Sequence, residues 1–230
     1  MNALKGRVLE YGLLIDTMIE QTFDGILCRN KDVLSRVCNE LEVQAHEMKL
    51  EVAQESMGLI ALFHPEACHL RSITKMSAIA IDLERMGDVI VKIARIILNS
   101  KEMLDFSMYP QVMQMVQETR TMLKNVMHAF ADGDALVAIS VIGHDDRFDA
   151  LCETLIRTIL REIKVHNEDI ERLLQLLTIV RYIERIADHT THIAKDVIFI
   201  KEGLTIQKVS NLQSILSERY GKEANNNSLL

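Results

Sequence analysis

Leu83-Glu84-Arg85-Met86-Gly87-Asp88 returns as Ile183-Glu184-Arg185-Ile186-Ala187-Asp188, and Ile93-Ala94 returns as Ile193-Ala194, each at an offset of 100 residues. A period of that length is too long for a solenoid and fits a duplicated supersecondary unit. Around the first copy the apolar residues Ile79, Leu83, Met86, Ile90, Ile93 and Ile97 are spaced by four and three, and Ile183, Ile186, Ile193, Val197 and Ile200 nearly repeat that spacing. Such spacing lines one face of an α-helix. The repeated signature therefore lies on a helix in each half.

Outward from these helices, Pro65 and Pro110 are the strongest breaks, joined by the turn-forming Arg29-Asn30, Ala131-Asp132-Gly133-Asp134 and His166-Asn167. Proline lacks a backbone donor and clashes inside a helix, so each marks a boundary. These breaks divide residues 1–202 into six helix-length segments, with Gly203 as a C-terminal cap. Long segments joined by short turns fold back antiparallel. The expected fold is all-α: two tandem, pseudo-symmetric three-helix bundles at residues 1–107 and 108–203, followed by a tail at 204–230. Leu204, Ile206, Val209, Leu212, Ile215 and Leu216 make the start of the tail amphipathic, for packing on a bundle or docking to a partner, and Asn225-Asn226-Asn227 marks a frayed end.

The composition agrees. Of 230 residues 48% are hydrophobic, enough for a core, while 9 Gly, 2 Pro and 4% aromatics argue against disorder and many-stranded folds. The net charge of −7 repels phosphate backbones and anionic lipid, so no nucleic-acid partner is expected. No apolar run reaches the roughly 20 residues that span a bilayer, and Glu10 and Asp16 interrupt the N-terminal region, so a cytoplasmic chain without membrane insertion is expected. Cys28, Cys38, Cys68 and Cys152 lack zinc-like spacing and read as buried thiols, and the 12 methionines read as core filling.

Glu84 and Asp88 are four residues apart, hence on one helix face, where like charges repel. Glu184 and Asp188 repeat the arrangement, and the preceding segment of each half offers another such pair: Glu42 and His46 in the first, Asp145 and Asp149 in the second. Facing pairs on neighbouring helices can enclose a cation. Oxygen ligands with an occasional imidazole suit iron, manganese, magnesium or zinc. His189 and His192 follow Asp188, and His192, one turn further on, is a further candidate ligand; the first half has Val89 and Lys92 there, which predicts a weaker site. The competing reading is a salt-bridge network in which Arg85 and Arg185 neutralise the glutamates. No GxSxG, P-loop or dinucleotide motif is present, so hydrolase, kinase and dehydrogenase chemistry lack their parts and no catalytic residue is assigned. The alternative is a di-iron carboxylate-type enzyme, although the Glu-x-x-His pairs that such enzymes carry on bundle helices do not accompany these carboxylates.

Taken in order, HPEACHLR (64–71), DLERMGD (82–88), DDRFD (145–149) and YIERIADHTTHIAKDVIFIKEG (182–203) resemble the PhoU family nearly end to end. The resemblance implies a cytoplasmic, homodimeric negative regulator of phosphate transport. Such a protein couples the ATPase subunit of a phosphate ABC transporter to a phosphate-sensing histidine kinase and represses the phosphate-starvation response when phosphate is plentiful. It also implies two three-helix bundles able to carry iron or other metal clusters on the E(D)xxxD motifs. Departures are His69 for an aspartate, Ala187 for a glycine, Val89 and Lys92 in the first half, and His192 for an amide. A paralogue that regulates another transporter is the alternative within the family.

Overall fold

The computed structural model describes residues 1–100, 104–165 and 169–203. Helix α1 (Asn2–Leu27) leads to a rod made of α2 (Lys31–Arg36), a π turn (Val37–Leu41) and α3 (Glu42–Phe63), and α4 (Ala67–Asn99) completes the first half. After a short 3₁₀ turn (Phe106–Met108), the second half is α5 (Pro110–Asp132), α6 (Ala135–Val165) and α7 (Ile170–Glu202). The described residues contain no strand. The fold is two tandem three-helix bundles, as the duplicated signature predicts.

Each break has a local cause. The Asn30 side chain accepts from the amides of Asp32 and Val33 and caps α2, and Asp134 does the same for Leu136 and Val137 at the start of α6. Pro110 is in the first turn of α5, where its missing N–H is no loss. Gly133 (φ 68°) and Gly203 (φ 70°) close α5 and α7 in the left-handed conformation that glycine takes without strain. His64 closes α3 with φ 42°, just ahead of Pro65. The break expected at His166-Asn167 and the amphipathic tail beyond Gly203 lie outside the described residues.

The periodic residues are the core. Ile79, Leu83, Met86, Ile90, Ile93 and Ile97 are all buried, as are Ile183, Ile186, Ile193 and Val197, while Ile200 packs partly buried against them. Burying a side chain of this kind contributes about 1.5–3 kcal/mol before entropy is counted. Met18, Met76, Met86, Met115, Met122 and Met127 fill the same core. The cysteines divide: Cys38 and Cys152 are buried, but Cys28 and Cys68 are exposed free thiols, contrary to the expectation for all four. Cys28 caps the end of α1 and Cys68 lies in the first turn of α4, so both stand at helix ends away from the packed faces.

The halves meet chiefly where α4 packs on α7 and α1 on α5. On the first seam Arg71 donates to the Ile200 carbonyl, Lys75 pairs with Asp196 and Asp82 meets His189. Residue numbers rise on α4 as they fall on α7, so these helices run antiparallel. On the second seam Arg120 grips Asp16 with two hydrogen bonds of 2.8 and 3.0 Å.

Candidate metal centre

In the second half, α6 supplies Asp145 and Asp149, and α7 supplies Asp188; their ligand oxygens lie within 4.8 Å of one another. The spacing of four residues brings both α6 carboxylates to one helix face, opposite α7. The Asp145 Oδ1 atom is buried with no hydrogen-bond partner. Burial first, and then the charges of Asp149 and Asp188, push Asp145 up to about 6. Asp149 and Asp188 are raised too, again by burial first and then by carboxylate neighbours, Asp188 and Glu184 for Asp149 and Glu184 for Asp188. Such a cluster is stabilised by a proton or by a cation.

Glu184 stands beside this group but is held by Arg181 at 2.8 Å. The buried Cys152 thiol is pushed up to about 12 by burial and by Glu184, so it stays protonated and offers no thiolate. A metal here would therefore be met by carboxylate oxygen. The buried, unpartnered Asp145 oxygen and the crowded negative charge fit a hard cation held by Asp145, Asp149 and Asp188, with Glu184 able to join by releasing Arg181.

The first half is built differently. Glu42 and His46 on α3 and Glu84 and Asp88 on α4 line one cleft of about 340 Å³, so the structure brings all four predicted residues together. The π turn Val37–Leu41 immediately precedes Glu42 and widens the helix by one residue, which helps set the face that α3 turns to α4. Glu84 is already answered by Lys49 at 2.7 Å and by His46 at 3.2 Å, and Glu42 by Arg95 at 2.7 Å. Lys49 takes beside Glu84 the place that Cys152 takes beside Glu184. Below the cleft, the buried Tyr11 hydroxyl has no partner, and burial followed by the charges of Glu84 and Asp88 keeps it firmly protonated. Two cations within reach make this half a poorer home for a metal.

The arginines inside the signatures do not serve the glutamates beside them. Arg85 approaches Asp82 at 3.9 Å, and the cation on Glu184 is Arg181. Adjacent residues on a helix project about 100° apart, whereas residues three or four apart share a face.

His192 is placed toward the first half. Its Nδ1 lies 3.7 Å from Asp82 Oδ1 on α4, and His189 Nδ1 lies 2.9 Å from the same oxygen. The nearby Asp82 carboxylate raises the His192 pKa, with Asp188 contributing a smaller upward pull. Burial works upward on Asp82, but the two histidines outweigh it and hold the carboxyl at about 2. Asp82 was not singled out from the sequence. The available signal was a carboxylate directly beside core Leu83, where the second half has Tyr182.

Among the described residues, no helix is long and apolar enough to cross a membrane. The PhoU domain description matches residues 8–97 and 112–197. A Pseudomonas putida protein named phosphate-specific transport system accessory protein PhoU homolog is 27% identical over 222 residues, covering 96% of this chain and 86% of that protein. A Thermotoga maritima protein of the same description, homolog 1, is 25% identical over 209 residues, covering 90% of each. The crystal structure of PhoU from Pseudomonas aeruginosa aligns with a TM-score of 0.82 at 27% identity over 88% of this chain and 97% of that one. That of the phosphate transport system regulatory protein PhoU from Streptococcus pneumoniae aligns at 0.83 and 25% identity over 90% and 97%.

Proposed function

The chain belongs to the PhoU family, and we propose that it acts in phosphate transport as a non-enzymatic regulator, an adaptor between a phosphate ABC transporter and a two-component sensor kinase. In that role it restrains the phosphate-starvation response when phosphate is plentiful. The observation that carries this reading is the match of both halves, nearly end to end, to proteins named as accessory to phosphate-specific transport. The partners are the transporter's ATPase subunit, the histidine kinase and a second copy of the chain, which places the protein in the cytoplasm.

Within this reading the carboxylates of the second half hold a metal ion, iron first among the candidates, and supply a fixed charge that ties α6 to α7. Asp145, Asp149 and Asp188 are the ligands and Glu184 the reserve. The residues in the first half, Glu42, His46, Glu84 and Asp88, bind more weakly because Lys49 and Arg95 compete for the same oxygens.

The test is direct binding. Purified chain titrated against the phosphate transporter's ATPase subunit, and separately against the cytoplasmic portion of the histidine kinase, should give saturable association with each. Absence of association with both overturns the adaptor reading.

A further inference from the structure

Asp82, His189 and His192 present three ligand atoms within 4.8 Å of one another, drawn from both halves of the molecule. Asp82 is on α4, and the two histidines are on α7 at a spacing of three, which puts them on one helix face. Both turn Nδ1 toward the same carboxylate oxygen, at 2.9 and 3.7 Å, with their rings edge to face at 5.6 Å. The geometry points to a transition-metal site of the zinc class formed by Asp82, His189 and His192, bridging the two bundles and separate from the carboxylate cluster.

Three observations carry it. Zinc bonds near 2.0–2.1 Å to nitrogen and oxygen place tetrahedral ligand atoms about 3.3 Å apart. The two distances to Asp82 Oδ1 bracket that value, so small side-chain rotations suffice. Second, the ligand set is one carboxylate and two imidazoles, which selects zinc or a neighbouring transition metal over magnesium or calcium, whereas Asp145, Asp149 and Asp188 offer oxygen alone. Third, packing alone does not call for these groups. At an offset of 100 residues the equivalent positions hold Tyr182, Val89 and Lys92. The duplicated helices thus carry an aromatic, an aliphatic and a lysine at those positions.

The surroundings allow the charge. Asp82 and His189 are buried, while the His192 side chain is 51% exposed and leaves the fourth position open to water. Arg85 lies 3.9 Å from Asp82 on an exposed side chain and can swing away, and Lys75 is engaged by Asp196. Metal ions bind imidazole nitrogen and carboxylate oxygen only when these carry no proton, so affinity falls on acidification. A bound ion clamps α4 to α7 and with them the two halves.

The experiment uses the full chain carrying Asp145→Asn, Asp149→Asn and Glu84→Gln, which removes the carboxylate cluster and disables the weaker first-half group as competing sites. Cobalt(II) titrated into this protein should give one bound ion per chain with a visible ligand-field band, bleached by zinc, and zinc should raise the thermal midpoint. Adding His192→Gln, a change at a half-exposed position that should leave the far-UV circular dichroism intact, should abolish both the band and the zinc-dependent stabilisation. Asp82→Asn should do the same for the band. Failure of the triple variant to bind cobalt, or a band that survives His192→Gln, overturns the assignment without touching the proposed role in phosphate regulation.

Discussion

Asp82 of α4 and His189 of α7 lie 2.9 Å apart, both buried, where the residues at an offset of 100 are Tyr182 and Val89. The duplicated helices therefore differ here, with a carboxylate and an imidazole on one side of the repeat and an aromatic and an aliphatic residue on the other. A buried pair is weak evidence of net stabilisation, but removing one partner strands the other. In metal-free protein, His189→Ala should cost about 1–3 kcal/mol in urea unfolding, because the buried Asp82 carboxylate then loses its nearest hydrogen-bond partner. Asp82 stands at about 2 against an ordinary 3.8. Its carboxylate is favoured in the folded state, so its contribution is complete above the ordinary value and disappears as pH falls toward 2. Unfolding midpoints followed across that window should show the loss in the wild type and a flatter profile in Asp82→Asn.

Asp145 titrates in the opposite sense. Its folded value of about 6 exceeds the ordinary 3.8, so the folded chain holds this proton more tightly than the unfolded chain. Stability of the metal-free protein should therefore rise as pH falls from 7 through 6 and level off near the ordinary value. Asp145→Asn removes the like charge that Asp149 and Asp188 repel, and should raise the thermal midpoint at neutral pH and flatten this rise. An unchanged midpoint in calorimetry would count against the crowding of carboxylates seen between α6 and α7.

Removal of the ligands should be visible by elemental analysis. Asp149→Asn combined with Asp188→Asn takes two of the three converging carboxylates, and iron content should fall relative to the wild type, while Glu42→Gln in the cation-neutralised first half should change it little. Equal iron content in wild type and double variant contradicts the assignment of the second-half site.

The α1–α5 seam supplies a stability test that uses none of the proposed ligands. Arg120 and Asp16 are each 14% exposed in their side chains, and Lys124 approaches the same carboxylate. Burial works upward on Asp16, yet the Arg120 hydrogen bonds and the two positive charges hold it below its ordinary value. Arg120→Ala should destabilise the chain by about 3 kcal/mol. Arg157→Ala, which breaks an exposed pair with Glu153, should cost less than about 0.5 kcal/mol. Chemical denaturation of the two variants side by side checks the ratio.

The bundle helices were legible because their causes are local. Apolar residues three and four apart dictate a buried helix face, and Asn30, Pro65, Pro110, Gly133 and Gly203 act on their own neighbours. The same locality exposes the i, i+4 carboxylate pairs. Arg181 beside Glu184 is local too, but other partners are not: Lys49 reaches Glu84 across 35 residues, and His189 reaches Asp82 across 107. Those contacts depend on how α3, α4 and α7 are set against one another, which helical periodicity leaves open. For the same reason His192 reads from the sequence as a neighbour of Asp188, whereas its ring nitrogen faces α4. The π turn before Glu42 is likewise invisible in spacing, because one inserted residue disturbs the period too briefly to register.

The central claim concerns phosphate regulation, and the most direct measurement is expression of phosphate-starvation genes in cells that lack this chain, grown with plentiful phosphate. The account predicts that those genes are switched on despite the phosphate, and that restoring the intact chain silences them. Expression that stays repressed in the deletion strain would contradict it.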